Sequence, residues 1–296
     1  MRACFFSIIL LCTQCYNAYC QDSTPSPDVP KLVFEQGKKY GITMDVKSKI
    51  SQQAMGRGID FNVNATGIHN YTVTNATDDN TTLHHEVDQI LFSFDGMGQK
   101  RSFDSDSEKD MKGMFGSTIK QYKDKKYDMV IDPYGVVLMS FPEKVEIKEE
   151  DSRLAIVTNM LQDVLDIVQP PKKGNGSFFK ILPAKEIATG DTWTERSTIE
   201  GGSSTTNYTI AAISDTAIVI SYEGNSSTAT TAQMMGNTVT THMKNTFNGK
   251  ITVDPVTRIM KEKTMTMDGK GEAETPFGNQ PVTSKVDTII TVKSAE

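Results

Sequence analysis

The stretch KKYGITMDVKSKI (residues 38–50) decides the fold class, because Tyr40, Ile42, Met44, Val46 and Ile50 fall on alternate positions. Successive side chains of a β-strand point to opposite faces, so this pattern predicts a strand with one buried face. Ile59, Phe61 and Val63 repeat the alternation, and Tyr71 and Val73 begin a further strand. TNATDDN (74–80) is a turn cluster, since Asp and Asn side chains bond the local backbone, and Leu83 to Phe94 returns as a long strand. KYDMVIDPYGVVLMSF (126–141) reads as strand, turn, strand, with Pro133 and Gly135 suited to the turn. Further strands are predicted at 178–182, 193–200, 206–213, 216–223, 228–235, 238–245, 248–253, 256–267 and 284–293, separated by Gly, Asn and Asp.

Helical spacing is confined to two places. In 104–122, Ser107 with Asp110 predicts a capped short helix, which Gly113 and Gly116 weaken. Over 150–168, Leu154, Val157, Leu161, Val164, Leu165 and Val168 share one face. Glu149, Glu150 and Asp151 complement the helix dipole at its start, and Pro170-Pro171 ends it. An antiparallel sheet with one apolar face must cover that face. The expected fold is therefore mainly β with a minor α component: antiparallel curved sheets from two similar meanders, covered by one main helix at about 150–168. The expected organisation is a signal peptide (1–20), a flexible tether (21–37), a first meander (38–148), a linking helix (149–171) and a second meander (172–296).

The two meanders are inferred from an internal echo. NYTVTNATDDNTTLHHEV from Asn70 parallels NYTIAAISDTAIVISYEG from Asn207, each a strand, an Asp-containing turn and a strand. MVIDPYGVVL (129–138) parallels ITVDPVTRIM (251–260) in the same order, with Asp132-Pro133 against Asp254-Pro255.

Arg2, the apolar run Phe5 to Cys12, and the small residues Ala18 and Cys20 form the three-part pattern of a secretory leader. The apolar run is short of the roughly 20 residues a bilayer requires, and no later segment reaches that length. The lipid-attachment alternative fits poorly, because Asn17 and Tyr19 precede Cys20 where Leu and a small residue are wanted. All four cysteines lie in the leader, so the mature chain is cysteine-free, as suits a bacterial envelope protein. Seven sequons, at Asn64, Asn70, Asn75, Asn80, Asn175, Asn207 and Asn225, are read as products of an Asn/Thr-rich composition. Without Arg2, 30 of the 31 basic residues stand against 37 acidic ones. A net negative chain with no basic cluster argues against a nucleic-acid partner.

VIDPYG (130–135) and GDTW (190–193), with a leader and a mid-chain helix, resemble families of uncharacterised exported bacterial β-rich proteins. The architecture is also similar, more distantly, to the half-barrel of periplasmic lipoprotein carriers, which hold acyl chains between a curved sheet and helices. Neither resemblance implies catalytic residues, and fold does not fix function.

His84 and His85 are strand neighbours and point to opposite faces. A turn near Asp79 would set His84 opposite Thr74 and His69 opposite Asp88 or Gln89, so the three read as surface or edge histidines. Asp104, Asp106 and Glu108, then Asp110, offer weak calcium ligands in a loop, but Lys109 and Phe115 break the EF-hand pattern. Met265 and Met267 share a strand face, and Met234-Met235 precede His242-Met243 across a Gly236-Asn237 turn. That turn sets His242 opposite Thr231 and Met243 opposite Thr230, so methionine reads as soft core filling, not copper ligation. Gly96, Gly98, Gly269 and Gly271 give G-x-G fragments in turns, without a helix to cradle phosphate. Trp193, the sole tryptophan, reads as a core anchor. No G-x-S-x-G or HExxH pattern occurs, so neither a catalytic residue nor a cofactor is expected. Three readings follow: an exported envelope protein that binds an apolar ligand such as a lipid, a structural or protein-interaction module of the envelope, and an unrecognised hydrolase. The expected location is the periplasm, the cell surface or the exterior.

Overall fold

The computed structural model describes residues 29–54, 57–96, 98–144, 161–199, 201–234, 237–275 and 278–295. The expected leader, residues 21–28 of the expected tether, and residues 150–160 of the expected helix lie outside them.

Twelve strands form one antiparallel sheet. The first six are β1 (Lys39–Ala54), β2 (Arg57–Ala76), β3 (Thr81–Gly96), β4 (Gln99–Asp104), β5 (Lys126–Ile131) and β6 (Val137–Phe141). The rest are β7 (Thr192–Ile199), β8 (Gly202–Ile213), β9 (Ile218–Met234), β10 (Asn237–Val253), β11 (Met260–Thr275) and β12 (Gly278–Ala295). Their order is β6-β5-β3-β2-β1-β12-β11-β10-β9-β8-β7, with β4 beside β3 beyond the end of β5. Helices α1 (Glu108–Met111) and α2 (Gly116–Lys123) connect β4 to β5, and Ser107 accepts the Asp110 amide as the expected cap. Helix α3 (Gln162–Leu165) continues into a 3-10 turn, Asp166–Val168, within the predicted 150–168 helix.

The two meanders share a single sheet because β1 pairs with β12, from Lys39 against Ala295 to Gln52 against Val282. On one face of this sheet Ile42, Met44, Val46, Phe61, Ile90, Phe247, Met267 and Val286 are buried. The intervening Thr43, Asp45, Lys47 and Lys49 of β1 are half-buried or exposed, as strand alternation requires.

Several predicted strands are longer than the sequence indicated. The strands predicted at 216–223 and 228–235 merge into one, β9 (Ile218–Met234), and those at 238–245 and 248–253 into another, β10 (Asn237–Val253). Gly224 was expected between two strands, but Gly224 and Gly249 both sit mid-strand as gaps that accept neighbouring rings. A Cβ at Gly224 would lie 2.5 Å from the Phe247 ring, and one at Gly249 would lie 2.6 Å from the Tyr222 ring. Glycine inside a strand often marks such a close approach. Gly269 and Gly271, expected in turns, sit mid-strand in β11 for the same reason: a Cβ at Gly269 would meet Ser284 Oγ at 2.3 Å and Asn245 Oδ1 at 2.5 Å. Residues 178–182 form no strand; Phe178 and Phe179 plug the core instead.

The echoed segments occupy equivalent places. Asn70 and Asn207 begin the last seven residues of β2 and β8, and the Asp-containing turns lead into β3 and β9. The equivalence extends further than the sequence showed. Gly37 (φ 84°) donates its N–H to Val73 O at 2.8 Å, and Gly190 (φ 93°) donates to Ile210 O at 2.8 Å. Tyr40 then faces Tyr71 as Trp193 faces Tyr208. At the two Asp-Pro turns, Asp132 Oδ1 accepts the amides of Tyr134 and Val136, and Asp254 Oδ1 accepts those of Val256 and Thr257. Residues 29–36, from the stretch expected as tether, bridge these turns: Leu32 N–H donates to Pro133 O at 2.8 Å and Val33 N–H to Thr257 O at 3.0 Å.

Candidate functional site

α3 packs on β1 and β2, and the 3-10 turn that follows packs on β3. Leu161, Val164, Leu165, Ile167 and Val168 are buried there, so the apolar stripe read over 161–168 does face the sheet. β2 permits this approach through Gly67, where a Cβ would meet His69 Nε2 at 2.9 Å, Val164 Cβ at 3.1 Å and Val164 O at 3.2 Å. Gly67→Ala is expected to lower stability by about 1–3 kcal/mol by overpacking, as read from urea unfolding. The loss of hydrogen-exchange protection should concentrate in 161–168 and spare β8–β11.

Two short polar chains run from the sheet to this helical segment. In the first, His69 Nε2 lies 3.1 Å from Val164 O. A carbonyl only accepts, so His69 carries its proton on Nε2. His69 Nδ1 is then the acceptor for His85 Nε2–H, 3.3 Å away. That leaves His85 Nδ1 as a buried acceptor with no hydrogen-bond partner. In the second chain the Tyr127 hydroxyl donates to Ile167 O at 3.1 Å, so Tyr71 donates to Tyr127 at 2.7 Å. The rings support one another: His85 stacks on Tyr127 with centroids 4.5 Å apart and on His69 at 5.4 Å.

All four side chains are nearly fully buried, and both histidines have zero exposure. Burial pushes His69 down to about 4, although its bond to Val164 works the other way. Burial, with His69 and His84 nearby, pushes His85 down to about 2. Near pH 7 the cluster is therefore neutral: a hydrogen-bonded latch holding a helical segment to a sheet.

These positions correct the reading of His69 and His85 as surface or edge residues. The expected register set His69 opposite Asp88 or Gln89. Thr74 and Asp88 are instead extra residues at irregularities in the β2–β3 ladder, where the register shifts. Between them His69 faces Val87 and His85 faces Tyr71, which makes the two histidines diagonal neighbours. Their phase was nevertheless legible, since His85 alternates with Leu83 and Val87. His84 does point to the opposite face, where Nδ1 lies 2.7 Å from Asp128.

The acidic loop is occupied by the protein's own groups. Asp104 accepts from the Asp106 amide at 2.9 Å and from Gln89 at 2.8 Å. Asp106 pairs with Lys123, and Glu108 with Lys112. Among the described residues no group of three or more His, Cys, Asp or Glu side chains is placed to hold a metal. The β9–β10 register differs from expectation by two: Met234 pairs with Asn237, so His242 faces Ala229 and Met243 faces Thr228. Trp193 is half-buried near the sheet's edge, stacked on Tyr208 at 4.8 Å. Among the described residues no helix is long and apolar enough to cross a membrane.

Comparison with solved structures gives likenesses of strand arrangement. A structure described as lipid–protein interactions in lipovitellin aligns with a TM-score of 0.46 and 13% identity, over 89% of this chain and 26% of that one. The chain thus spans about a quarter of the lipovitellin chain. An outer-membrane channel from Pseudomonas putida F1 aligns with a TM-score of 0.23 and 8% identity, over 92% of this chain and all of that one. The β domain of a Bordetella autotransporter aligns at 0.26 and 10% identity, over 87% and 99% of the two chains. No curated protein matches significantly. At the sequence level the profile of DUF6263, a family of unknown function, matches residues 78–260, from the β2–β3 turn through the second Asp-Pro turn to the start of β11, and the chain belongs to that family.

Proposed function

We propose that this is an exported bacterial envelope protein that binds an apolar ligand such as a lipid on the inner face of its sheet. The observation that carries this reading is the breadth of that face. Apolar side chains are buried on that face from Val137 of β6 to Ile210 of β8, interspersed in the second meander with buried Ser204, Thr206, Ser226, Thr228 and Asn245. The described cover, α3 to Leu182, lies on the first meander. Met243 and Met267, buried, and Met265, partly buried, give the second meander soft, adaptable packing on that face. The neutral latch under α3 provides a cover that can lift as a unit. The leader-like N-terminus and cysteine-free mature chain support export to the periplasm or cell surface.

The test uses delipidated mature protein titrated with the uncharged probe N-phenyl-1-naphthylamine. Saturable enhancement of its fluorescence, competed by long-chain lipids, is expected. A natively folded protein that takes up no probe would remove this reading.

A second reading, a protein-interaction module, is favoured by one observation. On β6, at the end of the sheet, Leu138, Met139 and Phe141 are exposed, Phe141 by 74%. Exposed apolar strand edges are pairing surfaces. Loss of a co-purifying protein on Phe141→Asp, with probe uptake unchanged, would select this alternative.

A further inference from the structure

The two Asp-Pro turns differ at one position that their shared geometry makes comparable. In the first, Gly135 N–H donates to Asp132 O and Asp132 N–H to Val136 O. In the second, Arg258 N–H donates to Asp254 O and Asp254 N–H to Ile259 O. Gly135 and Arg258 are therefore equivalent, and both are left-handed, at φ 84° and 61°. Glycine adopts that conformation without strain, whereas arginine does not, and strain retained at one residue points to a use for its side chain.

The Arg258 side chain lines a shallow groove between the two turns, with Leu32, Tyr134, Phe179, Ile181 and Leu182 among its walls. Its Nε is buried and has no hydrogen-bond partner. The nearby carboxylates are committed elsewhere: Asp254 to its own turn and to Lys261 at 2.9 Å, and Asp132 to its own turn. A guanidinium offers a planar fork of donors that matches a carboxylate. Leu32, Phe179, Ile181 and Leu182 supply the apolar part of the wall, beside Tyr134 and Lys185. We propose that this groove is a binding site for a long-chain carboxylate, with the head on Arg258 and the chain along Leu32, Ile181 and Leu182. Lys185 at the rim adds a second, exposed cation. The site lies at the turns and not under α3, so it does not rest on the lipid-binding reading of the sheet.

The test is calorimetric titration of the mature chain with sodium octanoate, 1-octanol and sodium acetate. Octanoate is expected to bind at least about tenfold more tightly than octanol, and acetate not measurably. Arg258→Gly removes the guanidinium while restoring the residue that the backbone favours. It should fold with an undiminished melting temperature and bind octanoate no better than octanol. Leu182→Glu, which leaves Arg258 intact and puts a carboxylate in the wall, should cause the same loss and serves if the glycine variant does not fold. Equal affinity of the natural chain for octanoate and octanol, no octanoate binding, or an octanoate preference that survives both substitutions would overturn the proposal. Probe uptake with no octanoate preference would leave the sheet reading standing and remove this one. An Arg258-dependent octanoate preference without probe uptake would do the reverse.

Discussion

At pH 4.5 the folded protein is expected to be about 5 kcal/mol less stable than at pH 7.5 from its two buried histidines alone. An unfolded histidine titrates near 6.5, whereas burial holds His69 at about 4 and His85 at about 2. Folded-state values below the unfolded one mean that the unfolded chain binds more protons. The stabilisation is therefore complete above about pH 6.5 and lost as pH falls. For His69 the loss ends near pH 4, and for His85 it continues towards 2. Between 6.5 and 4 the two together give a slope of about 2.7 kcal/mol per pH unit, against a typical total stability of about 5–15 kcal/mol. The remaining polar partners of the pair, Val164 O and the Tyr71–Tyr127 hydroxyls, are neutral here, and His84 with Asp128 lies on the other face. Urea unfolding at pH 7.5, 6, 5 and 4.5 checks this. His85→Phe should roughly halve the slope, to about 1.4 kcal/mol per unit. An unchanged midpoint from pH 7.5 to 4.5 would show that the pair is not buried as described.

Phe179→Ala is expected to lower stability by about 3–5 kcal/mol, the range for a fully buried aromatic ring. Phe179 has zero exposure and joins three separate segments. Its ring lies 5.2 Å from Phe34 of the N-terminal segment, 6.2 Å from Tyr40 of β1, and 5.2 Å from Tyr71 of β2, in edge-on contacts. Edge-to-face pairs at such distances each add to the apolar burial. Deleting the ring leaves a cavity under Tyr71, the residue that donates to Tyr127 in the latch, so probe uptake should change along with stability. Phe179→Leu retains most of the volume and should lose under about half as much. Guanidinium unfolding of the two variants measures both. Equal stability of Phe179→Ala and the natural protein would show that the 178–182 segment does not close the core.

Residues 38–50 and 83–94 announced their strands correctly because alternation is local, and one side chain in two must leave water. The Asp-Pro turns were equally legible, since an Asx carboxylate finds its amide partners within a few residues. The buried histidines were readable in phase but not in position. A single extra residue in either strand slides one histidine past the other, and irregularities at Thr74 and Asp88 leave no local mark. Gly224, Gly269 and Gly271 were misplaced for a related reason. A glycine that ends a strand and one that admits a neighbour's side chain look the same until the neighbour is known.

The amino-acid sequence by itself determined that this chain is β-rich, which face of its first strands is apolar, and where the first Asp-Pro turn and the helical cover over 161–168 lie. The tertiary structure alone decided that β1 pairs with β12, that both meanders form one sheet, that His69 meets His85, and that Arg258 shares a groove with Phe179. Those contacts join residues far apart along the chain. Their formation is set by the summed burial and hydrogen bonding of whole strands, which no short window of residues contains.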